Sequence, residues 1–186
     1  MKRTRTAVLL LALVCAAAMT GCAEKRIPWK DAYDAAALTW DAAIYDSENG
    51  RISFVYESGA DEIEAVEDTD RVSIYCGERC TVVIDYYEGV QELDEMEAEL
   101  RGTYRDTMGS TLSEKTEDGE IAGYRCRHIA ISGDIGEGGV YFCNTETGYL
   151  SVYYMAAAGC SAEEKQHMED IIDSVRVGQF LETEEA

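Results

Sequence analysis

The strongest constraint on the fold is a change in hydrophobic period along the chain. Trp40 to Tyr45 and Arg51 to Tyr56 flank Ser47-Glu48-Asn49-Gly50, and Asn-Gly is the strongest short signal for a β-hairpin. Ile52, Phe54 and Tyr56 recur at every second position, as on the buried side of a strand. Arg71 to Cys76 and Cys80 to Tyr87 form a second hairpin around Gly77-Glu78-Arg79. The period then becomes helical between Val90 and Met108, where Leu93, Met96, Leu100, Tyr104 and Met108 recur at steps of three and four. Strand-like runs return at Ile121 to Ile131, Val140 to Asn144 and Tyr149 to Ala157, with Ser132 to Gly139 read as a long glycine-rich loop. A last helix opens with Ser161 and Glu164 in capping-box spacing and lines up Met168, Ile171, Ile172 and Val175. Many strands with two helices to cover them predict an α+β domain.

The framework resembles the PsbP-like superfamily. Trp40 and Tyr45, then Gly50 with Phe54 and Tyr56, match its opening hairpin. Tyr86-Tyr87-Glu88-Gly89-Val90 leads into a helix, Gly123-Tyr124 opens a strand, and Ile172-Asp173-Ser174-Val175 closes the last helix. The resemblance spans roughly residues 40–177 and rests on spacing and hydrophobic type. One departure is Glu57-Ser58-Gly59, where such chains often carry Pro and then Trp. The resemblance implies an antiparallel β-sheet sandwiched by helices. Family members include a photosystem II extrinsic subunit, a Ran-binding import factor and many bacterial lipoproteins of unknown role. It therefore implies binding or assembly without catalysis, and carries over no site residue.

The N-terminus reads as an export address. Lys2, Arg3 and Arg5 precede Ala7 to Met19, an apolar run too short to span about 30 Å of hydrocarbon but suited to a secretory signal. Met19-Thr20-Gly21-Cys22 resembles the lipobox of bacterial lipoproteins. That resemblance implies acylation of Cys22, palmitate included, and anchoring at the extracytoplasmic face of the cell membrane. The bland reading is an ordinary cleaved signal with an incidental cysteine. The expected organisation is a signal peptide at 1–21, lipidated cysteine and tether at 22–39, the PsbP-like domain at 40–178, and an acidic disordered tail at 179–186. In the tether, Trp29, Tyr33 and Trp40 share one loose helical face.

Charge narrows the partners. Of 186 residues, 16 are Lys or Arg and 37 are Asp or Glu; loss of Lys2, Arg3 and Arg5 with the signal leaves 13 against 37, a net of −24. Such a surface repels phosphate backbones, so no nucleic-acid partner is expected, and attachment to anionic lipid must come from the anchor. The acidic run Asp61, Glu62, Glu64, Glu67, Asp68 and Asp70 lacks calcium-loop spacing and reads as solvated surface. The expected partners are the membrane, through the lipid, and an envelope protein or ligand.

Five cysteines remain once Cys15 and Cys22 are set aside: Cys76, Cys80, Cys126, Cys143 and Cys160. An odd count leaves at least one thiol free or paired outside the chain. Cys76 and Cys80 fall opposite each other if Gly77-Glu78-Arg79 is the whole loop. They are then either a disulfide or two buried thiols acting as small hydrophobes. Cys126 and His128 share one strand face. If Ile131 opposes Val140, Cys143 faces His128, and the three form a candidate zinc site or Cys/His pair. A Cys126–Cys143 disulfide or separate core packing explains the same residues. His167, beside the apolar face of the last helix, is expected in a solvated or capping role. No G-x-S-x-G, H-E-x-x-H or G-K-[ST] motif occurs, so the expectation is a non-catalytic domain without a cofactor. The alternative is a metal- or redox-active lipoprotein.

Overall fold

The computed structural model describes residues 41–67, 69–108 and 111–178. The expected signal peptide, lipidated Cys22, tether and acidic tail lie outside the described residues. The domain is a PsbP-like α+β fold, an antiparallel sheet with a helix on each face.

Strands β1 (Ala42–Asp46) and β2 (Ile52–Glu57) form the expected first hairpin, with Tyr45 opposite Phe54. β3 (Glu62–Ala65), β4 (Asp70–Cys76) and β5 (Cys80–Glu88) follow, and helix α1 (Leu93–Met108) comes next. After α1 run β6 (Thr111–Leu112), β7 (Glu117–Ile121), β8 (Tyr124–Gly133), β9 (Gly136–Asn144) and β10 (Gly148–Ala157). Helix α2 (Ala162–Ser174) and the short β11 (Arg176–Val177) close the chain. The main sheet has the order β3-β4-β5-β10-β9-β8-β6, with β7 also on β8; a second sheet has the order β1-β2-β11.

Alternation along the strands divides the core in two. Val72, Ile74, Val82, Ile84, Leu150 and Val152 face Ile52 and Phe54 of the small sheet and Met168, Ile171 and Ile172 of α2. Ile129, Val140, Phe142 and Tyr149 face the other way and meet Leu93, Met96, Leu100 and Tyr104 of α1. The helical period read from sequence is the stripe that packs there. Helix α1 starts three residues after Val90 because Asn144 pairs reciprocally with the backbone of Gln91 (3.0 and 2.9 Å), holding it out of the helix. Ser161 and Glu164 form the capping box at the start of α2 (3.1 and 2.8 Å), so the Ser161 and Glu164 amides are satisfied as expected.

Four local expectations are corrected. Residues 132–139 are a tight hairpin, in which β8 and β9 pair as far as Gly133 opposite Gly136, leaving Asp134 and Ile135 as the turn. The glycines mark close backbone approach within a strand. A Cβ on Gly138 would lie 2.1 Å from the Tyr154 carbonyl oxygen and 2.9 Å from Met155 Cα. The run from Ile121 to Ile131 is broken by a two-residue turn at Ala122 and Gly123, both at positive φ (54° and 81°). Alanine at the first of these positions concealed the turn, since Asn or Gly is the usual signal.

The acidic run from Asp61 is also more than solvated surface. Glu62 to Ala65 form an edge strand whose Ile63 packs on the core opposite Ile74, while the exposed Glu62 and Glu64 charge the edge against further pairing. The Asp61 side chain is fully buried, and its carboxylate accepts from the Glu57 amide (2.6 Å) and pairs with His167 Nε2 (2.9 and 3.0 Å). His167 therefore pins α2 to the β2–β3 loop and is neither solvated nor a cap. Burial alone would lower the His167 pKa, but the Asp61 hydrogen bond and charge, with Glu57, more than offset this and leave it raised above 6.5. A raised imidazole pKa adds stability that is complete below about pH 6.5 and fades as pH climbs through the folded-state value. The urea midpoint of the wild type should accordingly fall as pH rises from 6.5. His167→Gln should lack that component; an equal slope in the variant would refute the pairing as its source.

Candidate functional site: a histidine–tyrosine ladder

The face of the main sheet that bears α2 carries a row of rings crossing three strands. His128 of β8 lies directly opposite Tyr141 of β9, and Tyr154 of β10 lies one strand beyond. The His128 and Tyr141 rings stack at 4.4 Å between centroids, Tyr141 and Tyr154 at 5.6 Å, and His128 and Tyr154 at 6.0 Å, with interplanar angles of 24°, 19° and 10°. His128 Nε2 and the Tyr154 hydroxyl are hydrogen-bonded at 2.9 Å. The bond passes over Gly139 of the middle strand, where a Cβ would sit 2.4 Å from that nitrogen and 2.9 Å from that hydroxyl.

All three rings are half-buried. Burial lowers the His128 pKa, partly countered by Glu117, so the imidazole is neutral at neutral pH. Burial raises both phenols, and the carboxylates of Glu169 on α2 add to that for each, joined by Asp173 for Tyr141 and by Glu117 for Tyr154. The ladder is thus an aromatic row rimmed by acid groups from β7 and α2. The adjacent tyrosine pairs divide between faces. Tyr153 points to α1 and stacks on Tyr104 (5.1 Å), whereas Tyr154 joins the ladder. Tyr86 is buried and Tyr87 is half exposed.

The sequence brought Cys126, His128 and Cys143 to one face, and they do share it. Their register differs by two residues from expectation, because the hairpin is centred between Asp134 and Ile135, one residue earlier than a Ser132–Gly139 loop places it. Tyr141, not Cys143, faces His128, and continuing the same register from Arg127 opposite Phe142 sets Cys143 across from Cys126. A slip of two preserves the face, so the error moved partners without turning side chains over. Both thiols are buried in the core, which pushes Cys126 up to about 11 and Cys143 up to about 12. Among the described residues no three Cys, His, Asp or Glu side chains converge as metal ligands, and His128 is engaged by the two tyrosines.

Cys76 and Cys80 are directly opposite at the head of the second hairpin, and both are buried thiols in the structure. The sulfur contact of Cys80 is with Cys160, at 2.9 Å, a pairing that the sequence did not suggest. Tyr141 and Tyr154 were missed as partners of His128. The signal was present in the glycines of β9, which leave space across a strand for long neighbours.

No known protein-family model matches the chain, and no curated protein matches it significantly. Solved structures do resemble it. The solution structure of the cyanobacterial PsbP protein CyanoP from Synechocystis sp. PCC 6803 superposes with a TM-score of 0.51 at 11% identity, covering 75% of this chain and 94% of that one. LpqN of Mycobacterium tuberculosis, described as involved in cell envelope biogenesis, gives 0.48 at 8% identity over 74% and 90% of the two chains. A Bacteroides thetaiotaomicron protein gives 0.46 at 14%, covering 75% of this chain and 49% of its own. The CyanoP superposition is the one that supports the PsbP-like fold.

Proposed function

We propose that this chain is a bacterial lipoprotein, held at the outer face of the cell membrane by lipid on Cys22, whose PsbP-like domain is a non-catalytic binding or accessory module. The address rests on the basic start, the short apolar run and Met19-Thr20-Gly21-Cys22. Among the described residues no helix is long and apolar enough to cross a membrane; attachment is assigned to the lipid on the strength of Met19-Thr20-Gly21-Cys22. The ladder of His128, Tyr141 and Tyr154 carries the binding reading: half-buried rings, set in register by three strands and rimmed by Glu117, Glu169 and Asp173. Tyrosines combine an apolar face with a polar tip, and this pairing suits recognition surfaces. The acidic rim and the net charge select a cationic partner segment, whose guanidinium groups stack on aromatic rings and pair with carboxylates.

An arginine-rich peptide is the direct probe. Binding followed by calorimetry should weaken with salt, and Tyr154→Ser should weaken it at least about tenfold, the equivalent of about 1.4 kcal/mol. Equal binding by wild type and variant would remove the ladder from the account. The anchor is tested separately, since Cys22→Ala should move the protein from the membrane to the soluble fraction.

A further inference from the structure

We infer that Cys80 and Cys160 form a thiol–disulfide exchange site, with Cys160 as the entry thiol and Cys80 as the resolving thiol. Cys80 opens β5, and Ala156 of β10 lies directly opposite it. The chain then turns back. The Cys160 amide donates to the Ala157 carbonyl (3.0 Å), with Gly159 at φ 85° as the turn requires. Arg79 fixes this turn through its guanidinium on the Gly159 carbonyl (2.9 Å) and its own carbonyl on the Ala157 amide (2.8 Å). The result places Cys160 Sγ 2.9 Å from Cys80 Sγ. That leaves about 0.9 Å to close to the ~2.05 Å of a disulfide.

The two thiols differ in access. Cys80 is 1% exposed, and burial pushes it up to about 12. Cys160 is partly exposed and lines a cleft of about 290 Å³ together with Gly133, Gly136, Glu137 and Lys165. The Lys165 ammonium, itself paired with Glu137, is close enough to interact with both sulfurs. The oxidant is a small disulfide such as glutathione disulfide. The Cys160 thiolate attacks one donor sulfur, forming a mixed disulfide and releasing one donor thiolate. Cys80 then gives up its proton and attacks Cys160 Sγ, releasing the second donor thiol. The donor gains two electrons and the protein loses two, with one S–S bond broken and one formed.

The test starts from the full-length protein, fully reduced and then equilibrated with glutathione disulfide. Intact mass should fall by two hydrogens, peptide mapping should join Cys80 to Cys160, and three of the five domain thiols should still alkylate. Reduction should lower Tm on the order of 10 °C, because the bridge closes a long loop. In Cys80→Ser the resolving thiol is absent, so a glutathione adduct should accumulate on Cys160; in Cys160→Ser no adduct should form at Cys80. A map joining Cys76 to Cys80, five unreacted thiols in the wild type, or an adduct on a different cysteine in Cys80→Ser would each overturn the assignment. The wild-type map decides even where a variant fails to fold.

Discussion

Gly138→Ala should cost about 3 kcal/mol of stability, at the upper end for overpacking, while Gly102→Ala should add up to about 1 kcal/mol. The two sites receive the same methyl group in opposite circumstances. At Gly138 it meets the backbone of β10, 2.1 Å from a carbonyl oxygen, and backbone in the middle of a paired sheet cannot give way as a flexible side chain could. β9 is an inner strand between β8 and β10, so a shift there disturbs both ladders. Gly102 lies exposed within α1 with nothing within 4 Å of its added Cβ, and alanine there gains helix propensity alone. Urea denaturation of the two variants checks both signs. A Gly138→Ala loss below about 1 kcal/mol would mean that β9 and β10 are more widely separated than described.

That glycine also shows why part of the fold was legible and part was not. Alternation in β2, the Asn-Gly turn, the Cys76–Cys80 hairpin, the α1 stripe and the α2 capping box are local patterns, each written within a short contiguous stretch of chain, and the structure contains all of them. Gly136, Gly138 and Gly139 carry information about a neighbouring strand, and a single chain read locally turns such glycines into a loop. The site failed for the same reason. Strand period put His128 on the correct face, but its partners depended on where the turn is centred, which that misread loop concealed. The Asp61–His167 pair, with 106 positions between its members, and the Cys80–Cys160 contact, with 80, left no local trace.

Phe54→Ala should be the most damaging single truncation, at about 3–5 kcal/mol. Phe54 is fully buried, stacks on Tyr45 at 4.8 Å and meets Tyr56 edge-on at 6.5 Å. It belongs to the same core cluster as α2 and the main sheet, so its ring joins the small sheet to the rest of the domain. The cavity left by its removal is bordered by strands from two sheets, and neither can collapse into it without breaking its own ladder. Phe54→Leu keeps most of the volume and should cost less than about 1.5 kcal/mol. Equal losses for the two variants would show that ring stacking, not filled volume, holds the sheets together.

The small sheet carries a consequence for the order in which this protein can be completed. Arg176 and Val177 pair with Ser53 and Ile52, and the Ser53 hydroxyl donates to the Gly178 carbonyl from 125 positions away. The Val55 amide likewise waits for the Ser174 hydroxyl, 119 positions on. The opening hairpin therefore acquires its third strand only after nearly the whole domain is in hand. A chain emerging N-terminus first cannot lock this seam while its end is still occluded. Final closure of this seam is timed by the arrival of the last ten or so residues of the domain.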